Sequence, residues 1–243
     1  YKKIEEPVSW HSFANVGGSL ASFVKGTAHS FSSTEKRPGS AGTKSVLLTS
    51  TSVFGMIANG TMTTGRMIAG SIDATNSKNH AELDMSKEDK DSHGDPFYAL
   101  MDGTPDYIAV WVKFKQQTPV AEHPYATISA ALTDGTYYQD PQDKDYTNVV
   151  ATAKNAQIAS DGFAWQRIVI PFKYNDNDVK AKALLVTIST NADPGQGSAA
   201  DSLYVDDISL IYNVDKPAVT VNGHAITLDN TEVSTTATDP ATA

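Results

Sequence analysis

The chain contains no cysteine. That excludes disulfide staples, thiolate metal sites and cysteine nucleophiles. It also lacks any run approaching the roughly 18 apolar residues that a membrane-crossing helix requires. Basic residues are in the minority: 19 Lys and Arg stand against 28 Asp and Glu, for a net charge of −9, and the pI is about 5.0. No basic stripe interrupts that acidic balance, so a phosphate backbone would be repelled and nucleic acid is not an expected partner. Signatures of common catalytic chemistries are missing as well: there is no HExxH, no GxSxG elbow, no P-loop and no GxGxxG fingerprint. The chain opens at Tyr1 and not at Met. We take an upstream piece, a signal segment, to have been removed; localisation is argued from kind, and the expectation is an extracellular, cell-surface or periplasmic bacterial protein, which need carry no disulfides.

What is present suits a folded domain. Of 243 residues, 40% are hydrophobic and 19% charged, the balance of a globule rather than a disordered chain. A domain above about 150 residues buries most of its unfolded surface without staples.

Short β-branched runs alternate with Gly, Asp, Asn and Pro clusters, which is strand-and-turn punctuation. The predicted strands are 44–49 (KSVLLT), 107–114 (YIAVWVKF), 125–133 (YATISAALT), 165–172 (WQRIVIPF), 183–190 (ALLVTIST) and 203–212 (LYVDDISLIY). In the second of these Ile108, Val110, Val112 and Phe114 share one side, and Tyr107, Ala109, Trp111 and Lys113 the other, the two-residue period of a sheet with one face on the core. Pro171 has no amide to donate, which places it near a strand end or on an edge. Three polar excursions interrupt the strands: 76–95, with 85–91 the best helical candidate, 139–145 and 191–201. Residues 1–212 read as the main domain and 213–217 as a linker. Residues 218–243 hold a hairpin around Asn222-Gly223 and a polar tail. That hairpin is too small to fold alone, so it packs on the main domain or begins a further module. The fold class expected is all-β: an antiparallel jelly-roll β-sandwich, galactose-binding-like, of about ten strands with one short helical excursion.

Aromatic side chains are the main candidates for a site. A sugar ring has an apolar C–H face that a flat aromatic ring matches, and Tyr and Trp add a polar handle. Tyr107 and Trp111 lie on one face of their strand. If that face is open they form a stacking platform, and if another strand covers it they are packing. Tyr137 and Tyr138 follow the Asp134-Gly135 turn, and being adjacent they point to opposite faces. Tyr98 lies beside Phe97 in a loop, and Trp10 near the start of the sandwich. Asp91, His93 and Asp95 form a compact cluster that reads as a divalent-ion site or simply as a polar loop.

Several stretches, in order, resemble the putative carbohydrate metabolism domain family. They are Gly39 to Gly70 (with Ala58-Asn59-Gly60 and Thr64-Gly65-Arg66-Met67), then Gly94-Asp95-Pro96-Phe97 with Pro105 and Trp111-Val112-Lys113-Phe114. Trp165 through Phe172 and Tyr204-Val205-Asp206-Asp207-Ile208-Ser209-Leu210 complete the set. The resemblance spans residues 10–212 and implies a galactose-binding-like jelly roll in a secreted or surface protein of glycan-degrading gut anaerobes. It supplies no catalytic residues. Similarity to jelly-roll carbohydrate-binding modules further implies one structural calcium ion, with Asp206 the candidate ligand and Asp207 its reserve. The other reading of that pair is a solvated strand end or a loop cap. The function expected is non-catalytic binding of an oligosaccharide or polysaccharide, with other modules of the same protein or surface complex as further partners. The alternatives are a glycoside hydrolase acting at the same cleft, and a structural or adhesin scaffold module without ligand.

Overall fold

The computed structural model describes residues 10–25 and 29–212 in full, and the backbone of 2–3, 219–221 and 224–226. Two antiparallel sheets lie face to face. The front sheet runs, in spatial order, Gln166–Pro171, Tyr107–Lys115, Ser202–Ile211, Ser45–Thr49 and Ser30–Ser33, with Lys2–Lys3 also paired to Ser202–Ile211. The back sheet runs Lys173–Tyr174, Val149–Ile158, Ala126–Thr133, Ala183–Ser189 and Thr61–Thr63, with Ala99–Leu100 also paired to Ala183–Ser189. The chain is an antiparallel jelly-roll β-sandwich, as its strand pattern predicts.

The alternation read from the sequence sets the layers. Ile108, Val110, Val112 and Phe114 of the front sheet meet Ile128, Leu132, Leu184, Val186 and Ile188 of the back sheet in the main core. Fully buried aliphatic side chains of this kind each contribute about 1.5–3 kcal/mol of transfer free energy. The intervening residues of the back sheet point the other way. Ala131, Val149, Ala183 and Leu185 form a second apolar cluster with Met67, Ala81, Leu83 and Tyr138. Those last four come from a third, outer sheet of Tyr138–Asp140, His80–Leu83 and Arg66–Ile68. Gly65 makes this third layer possible. A Cβ there would sit 2.1 Å from the Glu82 carbonyl oxygen and 2.6 Å from Leu185 Cδ1, so only a residue without one lets the outer sheet approach the back sheet this closely.

The helix expected over 85–91 is not formed. Its first residues make a turn in which Asp84 Oδ1 accepts from the Ser86 amide at 2.9 Å and the Ser86 hydroxyl at 2.6 Å. That local capture competes with helix formation, and seven residues are too few to propagate without it. The α-helical turn lies instead at Ala21–Val24, next to a 3₁₀ turn at Phe13–Asn15. Pro171 is the last residue of an edge strand. Val219–Val221 pairs antiparallel with His224–Ile226. The linker 213–217, the turn residues 222–223 and the tail after 226 lie outside the described residues.

Candidate functional site

The outer face of the back sheet is covered by the third sheet. The outer face of the front sheet is the one with room for a ligand, and only over part of its area. Near Tyr107 it is closed, with Ala109, Ser209 and Ile211 each about 2% exposed. From Trp111 onward it opens.

Strand alternation carries Trp111, Lys113 and Lys115 outward. Cross-strand register places Arg167 opposite Trp111 and Tyr204 opposite Lys113. Trp165, just before its strand, brings its ring centroid to 6.2 Å from that of Tyr204. A fourth ring comes from the turn that crosses between the sheets. Gly162 and Phe163 both have positive φ, 57° and 59°, the backbone of a tight turn with two left-handed residues. An aromatic residue in that region costs about 1–2 kcal/mol. The turn sets the Phe163 centroid 6.1 Å from Tyr204. Trp111, Phe163, Trp165 and Tyr204 are all partly exposed.

Cations interleave with these rings. Lys113 Nζ lies 4.2 Å from the Phe163 centroid and 5.5 Å from that of Tyr204. Lys115 Nζ lies 4.9 Å from Phe163, and the Arg37 guanidinium 5.0 Å from Trp111. Lys113 also pairs with Glu35.

Arg37 is held by the two carboxylates singled out as metal candidates. Asp206 Oδ2 accepts from the Arg37 amide at 3.0 Å, and Asp207 Oδ2 from Arg37 Nε at 2.5 Å. Asp207 (φ 47°) sits at a bulge, where the register with Tyr107–Lys115 slips between Ala109 and Trp111. The extra residue lets both adjacent carboxylates reach one loop, where regular alternation would send them to opposite faces. Calcium requires six to eight oxygens. Among the described residues no three His, Asp, Glu or Cys side chains converge, and the cation paired with these two carboxylates is Arg37.

No family profile matches the chain, and no curated protein does. The family resemblance therefore stays a resemblance. Among solved structures, a "putative glycoside hydrolase" from Bacteroides thetaiotaomicron VPI-5482 superposes with a TM-score of 0.58 at 16% identity. The match covers 85% of this chain and 63% of that one, so the chain spans less than two thirds of that structure's length. The likeness is one of fold. A carbohydrate-binding module specific for non-crystalline cellulose (TM-score 0.34, 10% identity, 71% of this chain and 76% of that one) is more distant. So is a xylan-binding domain from Paenibacillus barcinonensis (TM-score 0.30, 14% identity, 85% and 96%).

The aromatics named from sequence are not brought together. Tyr107 and Trp111 share the front face, about 13 Å apart along the strand, with Tyr107 at its closed end. Tyr138 is 3% exposed and belongs to the second apolar cluster, so its ring is not offered to a ligand. Tyr98 packs on that same cluster. Tyr137 lies beyond the back sheet too. Its hydroxyl is 3.0 Å from Glu82 Oε2 and 2.8 Å from Gln139 Oε1; burial, then the nearby carboxylate, pushes its pKa up. Burial opposes charging of His80 in this cluster, but hydrogen bonds to Glu82 and Ser77 outweigh it and raise the pKa. Trp10 packs against the main core and borders a cleft of about 380 Å³ at the side of the sandwich, together with Phe31, Val46, Met62 and Val205. Its walls mix those side chains with polar ones, among them His11, Lys44, Asp206 and Asp207, and Trp10 there stands apart from the four rings of the front face.

Asp91 does not gather a metal. One of its oxygens accepts from the amides of His93 (2.8 Å) and Asp95 (2.9 Å), the other contacts His11 Nε2 at 3.0 Å. The Asp95 amide first, with the His11 and His93 hydrogen bonds, holds its pKa at about 2 despite the opposing effect of burial. Sequence reasoning missed Phe163, Trp165, Tyr204 and Arg37. The available signal was the Asp161-Gly162 turn dipeptide followed by two aromatics; Arg37 had none.

Proposed function

We propose that the protein binds single polysaccharide chains, without cleaving them, on the open half of its front sheet. The observation that carries this reading is the group of four partly exposed aromatic rings on the uncovered face of an otherwise closed sandwich. Tyr204 meets Phe163 and Trp165 at interplanar angles of 56° and 63°. Rings so tilted cannot lie against one flat crystalline surface, but they can follow a chain that twists. The fold likeness and the sequence resemblance both sit with a role in carbohydrate handling; that it acts outside the bacterial cytoplasm is part of the same proposal.

Catalysis is not part of the proposal. A glycosidase holds two carboxylates across the scissile bond, one of them with a raised pKa. Glu35, Asp206 and Asp207, carboxylates of this half-face, are each engaged by Lys113 or Arg37. Among the described carboxylates with a displaced pKa, Asp73, Asp91 and Asp143 are displaced downward.

The test is calorimetric titration against a panel of soluble plant and bacterial polysaccharides, with Trp165→Ala and Trp111→Ala in parallel. Each variant is expected to weaken binding about tenfold while keeping the far-UV spectrum of the parent. Binding that survives both substitutions would move the site elsewhere. No binding across the panel would favour the scaffold reading.

A further inference from the structure

We infer that the open face selects acidic polysaccharides, chains carrying uronic-acid carboxylates, over neutral ones; this rests on the binding reading above and deepens it.

The argument starts from where the positive charge lies. The chain as a whole carries −9, yet Arg37, Lys113, Lys115 and Arg167 converge on the half-face that holds the rings. Two of the four are committed, Arg37 to Asp207 and Lys113 to Glu35. Lys115 and Arg167 enter no ion pair among the described residues. Carboxylates are the commoner charge on this protein, so four cations gathered beside the rings of one half-face make that surface locally receptive to an anion.

The geometry agrees. A pyranose stacked on a ring projects its exocyclic C6 group past the ring's rim, several Å from the centroid. Lys113 and Lys115 hold their ammonium groups over the Phe163 ring, 4.2 and 4.9 Å from its centroid, within a side-chain swing of that rim. They sit two residues apart on one strand, roughly 7 Å, and Arg167 continues the cationic line on the neighbouring strand beside Trp111. Cation–π contacts at exposed sites are weak, so both lysines can turn from a ring face to a carboxylate without losing much. The exchange replaces them with charge-assisted hydrogen bonds, about twice as strong as neutral ones. A neutral chain would gain the stacking but not this second set of contacts.

Rings among cations also suit single-stranded nucleic acid. Net charge opposes either polyanion; what favours the sugar is that four cations, two of them already paired, are too few for a ligand whose affinity comes mainly from phosphate neutralisation over many contacts.

The test uses matched pairs: polygalacturonate, alginate and hyaluronan, each beside its carboxyl-reduced, neutral counterpart. Poly-glutamate and an oligothymidylate serve as non-sugar polyanions. The 243-residue protein is titrated with each at low and at high salt. The expected result is about tenfold tighter binding to at least one acidic polysaccharide than to its reduced form. That preference should shrink in high salt and in a Lys115→Ala/Arg167→Ala variant. Equal binding to acidic and reduced forms would overturn the inference and leave carbohydrate binding standing. Binding to neither would overturn both. Binding to poly-glutamate or oligothymidylate as tight as to the polysaccharides would overturn the inference in favour of general polyanion affinity.

Discussion

The two sheets of the sandwich meet their surroundings in different ways. The back sheet turns small and aliphatic residues outward (Ala131, Ala183, Leu185) and covers them with a third sheet. The front sheet turns Trp111, Lys113 and Lys115 outward and leaves half of that face open. Both faces come from the same alternation of side chains along strands. What distinguishes them is which residue types occupy the outward positions: an outer face that is apolar and small gains by being covered, whereas one that mixes rings with cations stays stable in water. The difference separates a face that serves stability from one that is free to bind.

That division can be broken first at Gly65. Gly65→Val would drive a side chain into the Glu82 carbonyl and Leu185, unseating the third sheet. A loss of about 3 kcal/mol is expected, read as a lower urea midpoint. A neutral result would mean that the outer sheet is not docked as described. On the front sheet the largest stability effect should come from Arg37→Ala, which removes the guanidinium from the nearly buried Asp206 and Asp207. About 2 kcal/mol is expected, and partial recovery in an Asp207→Asn background would confirm that the loss comes from the broken ion pair. Trp165→Ala should instead move unfolding by less than about 1 kcal/mol, because its ring is partly exposed and lies outside both cores. A large destabilisation would recast that ring as packing rather than platform.

The acid limb of stability should belong to the back of the molecule. Asp91 has its folded pKa lowered from 3.8 to about 2. Its contribution is therefore complete above pH 4 or so and is lost as pH falls through about 2. Urea midpoints measured across that window should fall less steeply in Asp91→Asn than in the parent, and an unchanged slope would remove Asp91 from the account. The smallest expected effect is that of chelation. EDTA should leave the thermal midpoint where it is; a drop of several degrees would reveal a metal bound away from Asp206 and Asp207.

Much of the sandwich is legible in the sequence because its strands alternate cleanly. The runs 107–114, 183–190 and 203–212 appear within a residue or two of their predicted bounds. Val149–Ile158 is harder to see, since Lys154, Asn155 and Gln157 break the apolar pattern on its outward half. One of the four rings of the site was legible on the same grounds: Trp111 faces away from Val110 and Val112 by parity alone. The rest depends on distance in space. Arg37 reaches Asp207 across 170 positions, and no local pattern reports such a meeting. Tyr138 shows the converse error, an aromatic beside a turn that reads as exposed until a third sheet is laid over it.

The joint between Arg37 and the Asp206-Asp207 bulge has a consequence for where such a protein can work. A joint made by a bound metal lasts only while free metal is present, and every chelator nearby competes for the ion. A guanidinium is covalently part of the chain and keeps its proton at any physiological pH. A strand fastened this way holds its shape whatever the supply of divalent ions around it.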